Sequence, residues 1–582
     1  VVLPVFAASM TLVCMFGTVI FLGGMIGVFM RSFAVVVVMG VLASLFVSLT
    51  LTPALCARYL NSGEATIRGI PAQISAFHVG TEQLYRRLIG ICLNFRWTVL
   101  MIATALVAST GLLMQNMGTE FFPPDDESRF RVQLEAPLGS SIDYMSEKIL
   151  EAEEILRAYP EVRLVMSRVG GADDSEVNRS SLNVILVPKR ERDASQEDMM
   201  QRSLADLAVV AGVRVYVSAF PMFDTGEGAP FEVHITGPDL LGVAEYAQQI
   251  LERGRQIEGL GGLRMELKLD RPLLSFDVDR SRAQSLGIST QTIGDTIRVV
   301  AGGADIAKYN EIPGDGERYD IRLAANREAM RDVRDLENVY LNDAEGQLVR
   351  LSAVADVEEK LGPAQIDRVN MNFSAGFYAK TDTSLGEALQ AFRNLALEIL
   401  PPGYQVIPMG EADELEKTGG YMAFVFVTGL ILVYMVLASQ FNSFLQPVLV
   451  MSAQPLAIIG GVFALWLLGM TLNIYSMIGL VLLVGLVSKN SILLIDLINR
   501  YRREGQEPDT AIRNACPRRM RPVMMTSLTI VLAMMPAAVG VGAGAGQYGP
   551  LAVAVIGGVI SSTLLTLVVV PVAYSLMQRF LD

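Results

Sequence analysis

Ile474-Tyr-Ser-Met-Ile-Gly-Leu-Val-Leu-Leu-Val-Gly-Leu-Val-Ser-Lys-Asn-Ser-Ile-Leu-Leu-Ile-Asp-Leu497 is the stretch that decides how this chain is read. It is apolar apart from hydroxyls, one amide and two charges, Lys489 and Asp496. At about 1.5 Å per helical residue it is long enough to cross the roughly 30 Å of hydrocarbon in a bilayer. Comparable runs lie near Leu3–Leu22, Phe33–Leu51, Trp97–Met114, Tyr421–Leu437, Val448–Leu468, Val523–Val541 and Leu551–Tyr574. A water-soluble chain spreads its apolar residues at helix or strand periods, whereas these come in blocks. The chain therefore reads as an α-helical polytopic membrane protein.

The arginines orient it. Arg58, Arg68, Arg86, Arg87 and Arg96 lie between the second and third spans. Arg500, Arg502, Arg503, Arg513, Arg518, Arg519 and Arg521 lie between the sixth and seventh. The positive-inside bias puts both segments in the cytoplasm. An even number of crossings separates them, so the two assignments agree, and the charged stretch Gly118–Lys417 falls outside. The reading divides the chain into two spans (1–57), a cytoplasmic linker with an amphipathic helix (58–96), a span (97–115), a large outside domain (116–417) and five spans with a basic cytoplasmic loop near 499–521 (418–582).

The outside stretch alternates strands and helices. Strand Arg129–Ala136, helix Ile142–Ala158, strands Val162–Arg168 and Leu182–Pro188, helix Ser195–Ala211 and strand Arg214–Phe220 give β-α-β-β-α-β, the ferredoxin-like split βαβ pattern. The pattern is predicted to recur in strand Phe231–Thr236, helix Leu240–Gln256, strands Gly262–Lys268 and Leu273–Val278, helix Thr290–Val300 and the extended segment Tyr319–Leu323, followed by a mixed portion, Asp332–Met409. Two adjacent α+β sandwiches leave a cleft, where ligands bind by default.

Composition narrows the function. The net charge of −13 sits mostly in this outside domain and argues against nucleic acid as a partner. The four cysteines, Cys14, Cys56, Cys92 and Cys516, lie outside it, so no disulfide staples it. The two histidines, His78 and His234, form no zinc-spaced cluster, so neither a metal site nor a cofactor is expected. Phosphate-loop, His-Glu-x-x-His and nucleophile-elbow patterns are lacking, so the chain does not read as an enzyme.

An internal repeat adds a further expectation. At an offset of 518, Gly24, Gly40, Ser44, Leu49 and Pro53 match Gly542, Gly558, Ser562, Leu567 and Pro571. Parallel repeats are common in secondary transporters. With its Val-Val-Leu-Pro start, the chain reads as the later part of a longer protein of about twelve spans.

Lys489 is the sharpest chemical signal. An ammonium inside a span is costly and is normally paired or lines a polar path. The other spans carry no Asp or Glu, and Asp496 lies two turns nearer the cytoplasmic arginines. The lysine either is neutral, or snorkels, or finds a carboxylate in helices beyond this sequence.

These residues resemble the resistance–nodulation–division (RND) exporters, nearest the hydrophobe/amphiphile multidrug branch. The matching stretches are Leu51-Thr-Pro-Ala-Leu-Cys56, Gly118-Thr-Glu-Phe-Phe-Pro-Pro-Asp-Asp126, Arg282-Ala-Gln-Ser-Leu-Gly-Ile288, Gly485-Leu-Val-Ser-Lys-Asn-Ser-Ile492, Arg519-Met-Arg-Pro-Val-Met-Met-Thr-Ser527 and Gly542-Ala-Gly-Ala-Gly546. The resemblance implies a homotrimer in the inner membrane of a Gram-negative bacterium, driven by protons. It implies a periplasmic adaptor (membrane fusion) protein, an outer-membrane channel, and small hydrophobic or amphiphilic substrates. It places acidic relay residues upstream of Val1 and ties Lys489, Thr526 and Arg519 to the relay, with Asn490 beside them. For Thr526 the alternative is a hydroxyl bonded back to its own helix; for Arg519 it is a positive-inside anchor.

The substrate side departs from the family. The segment Val169-Gly-Gly-Ala-Asp-Asp-Ser175 has no aromatic where multidrug pockets carry phenylalanine. Phe220, Met222, Phe223 and Phe231 are the candidate lining of the cleft, or else core and hinge packing. A metal or lipid exporter of the same superfamily is the alternative. A membrane sensor or scaffold is the rival from another class.

Overall fold

The structure, a computed structural model, describes residues 2–59, 70–123, 125–170, 177–220, 229–310, 318–326, 333–363, 365–381, 383–540 and 545–577. Eight of the described helices are long and apolar enough to cross a membrane. Before the outside domain come α1 (Val2–Ile20), α2 (Gly24–Leu49) with its short continuation α3 (Leu51–Tyr59), the linker helix α4 (Ile70–Asn94) and α5 (Arg96–Gln115).

The first outside unit is β1 (Arg129–Glu135), α6 (Ile142–Arg157), β2 (Val162–Val169), β3 (Arg179–Leu186), α7 (Gln196–Leu207) and β4 (Arg214–Ala219), as the pattern predicts. Ser141 caps α6 by accepting from the Tyr144 N–H, and Ser195 and Asp198 form a capping box on α7. The sheet order is β2-β3-β1-β4, every neighbour antiparallel. Period-2 alternation sends Phe130, Val132 and Leu134 into the core beneath the two helices. Arg131, Gln133 and Glu135 stand on the opposite face.

The second unit corrects the predicted recurrence. It opens with β5 (Phe231–Gly237), α8 (Leu240–Gly254) and β6 (Leu260–Met265). The chain then leaves the sheet through β7 (Arg271–Val278), α9 (Arg280–Ser285), α10 (Thr290–Gly302), β8 (Ala304–Tyr309), β9 (Tyr319–Leu323), α11 (Val333–Glu337), β10 (Tyr340–Asn342), β11 (Leu348–Arg350) and β12 (Ala355–Gly362). It returns with β13 (Asp367–Val369), β14 (Asn372–Thr381), α12 (Leu385–Ile399) and β15 (Gln405–Pro408). β14 pairs with β5 on one edge and with β13 and β6 on the other, and β15 flanks β5. The predicted strand Leu273–Val278, helix Thr290–Val300 and extended segment Tyr319–Leu323 therefore belong to an insertion. There β7 pairs with β12 and β8 with β9. The cause is physical: hydropathy reports a strand's faces but not its partner, and the partner came after a long excursion.

Beyond the outside domain run α13 (Gly410–Phe441), α14 (Gln446–Met451), α15 (Ala453–Leu467), α16 (Ile474–Arg503), α17 (Pro508–Ala538) and α18 (Ala545–Met577). The basic loop expected near 499–521 is almost wholly helical. α16 extends to Arg503, and α17 starts at Pro508, a residue preorganised for a first helical position. Hydropathy marks the hydrocarbon slab, while the helices run past it. The two arginine-rich segments meet where Arg96 pairs with Asp509 at 2.7 Å, and the first of them also docks on α18, where the Tyr85 hydroxyl donates to the Leu567 carbonyl at 2.6 Å.

The stretch Gly118–Asp126 joins the membrane helices to the outside domain. The Glu120 N–H donates to the Leu472 carbonyl at 3.0 Å, and the Gly386 N–H to the Thr119 carbonyl at 3.0 Å. Burial pushes the Glu120 carboxyl above the ordinary carboxylate value. The Thr471 hydroxyl, donating to it at 2.8 Å, pulls it part of the way back. Burial also acts on Asp126, but the Gln196 N–H, the Arg192 guanidinium and the Ser128 N–H together hold it below its usual value. The Arg192 side chain is fully buried against it.

Two predictions test these contacts. Asp126→Ala leaves a buried guanidinium unpaired and is expected to cost about 3–5 kcal/mol, read by denaturant unfolding of the purified protein. For Glu120, a raised folded-state value means ionisation costs stability above that value, and the cost disappears below the unfolded value. Glu120→Gln is thus expected to melt higher than wild type near about pH 8, with the gain shrinking toward about pH 4. A gain that grows on acidification contradicts it.

Candidate functional site

α16 starts with an Asn473–Ser476 capping box and is mostly enclosed by its neighbours. On one side the Ser488 hydroxyl accepts from the Gln454 side chain of α15 at 2.9 Å while donating to the Val484 carbonyl. On another, Gly485 lies so close to α1 that a β-carbon there would stand 2.6 Å from the Leu12 side chain. Lys489, one turn beyond Gly485, is exposed and makes no ion pair with any described residue. It stays exposed among the described residues, although this helix is the most enclosed of the eight.

The other residues tied to a relay are placed as follows. Asn490 and Asp496 are half-buried on the same helix. Thr526 is exposed on α17, and its hydroxyl donates to the Val523 carbonyl at 2.9 Å, the back-bonded alternative. Its neighbour Ser527 makes the cross-helix contact instead, 2.6 Å from the Thr563 hydroxyl of α18. A serine inside an apolar helix gave no sequence signal for that. Arg519 is half-buried, and its Nε is enclosed without a hydrogen-bond partner. No hydrogen bond joins Lys489 to Thr526.

The candidate cleft residues separate. Met222 and Phe223 lie outside the described residues, as do residues 171–176, which include most of the aromatic-free segment. Phe231 is fully buried in the core of the second unit, edge-to-face on Phe392 at 5.3 Å, and lines no cleft. Phe220 is half-buried beneath two guanidiniums, Arg129 at 4.7 Å and Arg131 at 4.6 Å from its ring centre. That is a cation–π contact and not a greasy wall.

What joins the two outside units is ionic, and sequence reading missed it. The outer faces of the two sheets meet through Glu135 of β1, which takes the Lys268 ammonium, lies 4.0 Å from Arg179 and accepts from the Tyr216 hydroxyl at 3.4 Å. Arg179 also reaches Glu266 at 3.3 Å, and Glu266 accepts from the Tyr378 hydroxyl at 2.9 Å. His234 lies 3.5 Å from that hydroxyl and 2.8 Å from the Ser374 hydroxyl, and Glu232 beside it keeps one enclosed oxygen without a partner. The available signal was period 2: Glu232, His234 and Thr236 alternate with the core residues Phe231, Val233 and Ile235. Among the described residues no group of three His, Cys, Asp or Glu is placed to hold a metal ion.

Spanning helices around an open intramembrane lysine, with a two-unit outside domain inserted between them, define a multi-pass membrane protein with the RND pump fold. The sequence model of the AcrB/AcrD/AcrF family matches residues 1–578, and the chain belongs to that family. Among solved structures it is similar to a heavy metal efflux pump, at 25% identity and a TM-score of 0.84. The match covers 100% of this chain and 58% of that one, so the chain spans little more than half the length of the structure it matches.

The core assignment of Phe231 predicts that Phe231→Ala costs about 3–5 kcal/mol, while Phe220→Ala, losing a surface stack, costs about 1 kcal/mol. Paired denaturation curves check this, and equal losses contradict it.

Proposed function

We propose that this chain works within a proton-driven exporter that moves hydrophobic or amphiphilic compounds out of the inner membrane and periplasm. Lys489 is the cation of its relay. The observation that carries the reading is the lysine's position: an ammonium in the middle of a span, exposed among the described residues on a helix that is otherwise largely enclosed. An uncompensated charge at that depth is expensive, and a carboxylate from further helices removes the cost. A carboxylate paired with Lys489 stays ionised. When the lysine swings away, the carboxyl loses that support, its proton affinity rises and it takes up a proton. The resulting helix shift has a direct mechanical route outward, because α13 continues from β15 of the second unit with only Met409 between them. Thr526, Arg519 and Asn490 are proposed to support this path.

The unequal surroundings of the two repeat-related helices support the presence of further helices. Gly558 of α18 is packed against Leu483, whereas its counterpart Gly40 on α2 faces open space. The two outside units are read as ferredoxin-like sandwiches on their strand order, and the cleft between them as the substrate path. The hairpin β8–β9 exposes Ile306, Tyr309, Tyr319, Ile321 and Leu323, a surface suited to a second copy in a trimer. An adaptor protein and an outer-membrane channel complete the assembly in this reading.

Metal export is the second reading, favoured by the likeness to a heavy metal efflux pump and by Met265 at the cleft. Organic substrates are preferred because a soft-metal path needs several thioethers or carboxylates together, and Met166 and Met265 stand on separate strands of different units.

Lys489→Ala in the full-length protein, reconstituted in proteoliposomes, is expected to abolish export driven by a pH gradient while trimer assembly, measured by light scattering, is unchanged. Export that persists in this variant removes proton coupling through Lys489.

A further inference from the structure

We propose that the cavity between the two outside units is a substrate site for anionic amphiphiles, compounds joining a carboxylate, sulfate or sulfonate to an apolar body. This assignment rests on the export reading and adds a substrate class to it.

The cavity measures about 500 Å³, enough for a drug-sized molecule. The first unit contributes Glu135, Arg214 and Tyr216; the second contributes residues of α8, of β6 and of the segment that follows. Its charges do not balance. Arg214, Arg255, Arg264 and Lys268 face it, against only Glu135 and Asp270. Glu135 is already committed, because it holds Lys268 and lies beside Arg179. Asp270 is exposed at the rim. Neither Arg214 nor Arg255 forms an ion pair with another described residue, and both are exposed, with their guanidiniums available. Arg264 is fixed between two rings, 5.0 Å from Tyr216 and 5.1 Å from Tyr378, so its planar fork is oriented in advance.

That arrangement suits a planar oxyanion. Guanidinium binds carboxylate or sulfonate with two parallel N–H donors, and each oxyanion it accepts reduces the repulsion among the cations. Apolar contact comes chiefly from the half-buried Met265, polarisable and adaptable, while Leu251 and Leu263 are almost wholly buried in the core and show only their edges to the cavity. A free metal cation meets the opposite conditions. It is repelled by the surplus positive charge and finds one thioether where several soft ligands are needed. A cationic drug meets the same repulsion without an aromatic cage to offset it, since the Tyr216 and Tyr378 faces are occupied by Arg264.

The test uses the full-length protein in nanodiscs and fluorescence polarisation of two dyes with one xanthene frame, anionic fluorescein and cationic rhodamine 123. Wild type is expected to bind fluorescein at least about tenfold more tightly, and Arg214→Glu/Arg255→Glu to reverse the preference. Both positions are exposed, so the double variant is expected to fold, checked by its melting temperature. Equal or tighter binding of rhodamine 123 by wild type overturns the assignment, as does a dye preference unchanged in the double variant or stoichiometric displacement of fluorescein by Zn²⁺ alone. If fluorescein does not bind while a pH gradient still drives export of another compound, this site assignment fails and the export reading stands. If fluorescein binds as described and Lys489→Ala exports normally, the site stands and the coupling fails.

Discussion

Close backbone contact among α15, α16 and α18 is the constraint from which the membrane half follows. Lipid tails are as apolar as leucine, so helices in a bilayer gain little from burying greasy surface and must associate through packing. Here glycine makes that packing possible. A β-carbon on Gly557 of α18 would stand 2.5 Å from the Gly460 carbonyl of α15, and one on Gly479 of α16 would stand 2.9 Å from the Leu551 carbonyl. The Ser561 hydroxyl then donates across the contact to the Leu456 carbonyl at 2.8 Å. With the three helices locked this closely, the rotation of α16 about its axis is settled. Ser488 and Ser491 turn inward, and Lys489 is carried to the face that is left.

The same helices unite the membrane and the outside domain. α5 delivers the chain to Gly118, which lies against Ser384 at the start of α12 and near Thr471 between α15 and α16. The base of the second unit is thereby tied to the start of α16 by backbone hydrogen bonds, Gly386 to Thr119 on one side and Ile474 to Phe121 on the other. The outside units hold each other differently. Their facing surfaces are polar, and ion pairs and tyrosine hydroxyls join them where a permanent interface would be apolar. Such a seam opens at modest cost, because water and counter-charges replace the pairs it loses.

The two helices that share the repeat's spacing sit in unequal surroundings. Most of α18 is enclosed while α2 is almost entirely uncovered, although their sequences share a glycine-to-proline spacing.

The amino-acid sequence by itself determined the eight spans, the first β-α-β-β-α-β unit and the oddity of Lys489. Each is a local property: a run long enough to cross, a period, or a charge among apolar neighbours. Helix ends at Gly410 and Pro508 were not legible, since a helix continues wherever its backbone hydrogen bonds do, in water as in lipid. The partner of β6 was not legible either, because β14 arrives after the whole insertion and strand pairing carries no mark in the strand itself. Only the tertiary structure decided that Phe231 is core, that Phe220 lies under arginines, and that Glu135, Lys268, Arg179 and Glu266 meet across a cleft. Those contacts join residues remote in sequence, and the charge of one says nothing about which surface will face it until both sheets have folded.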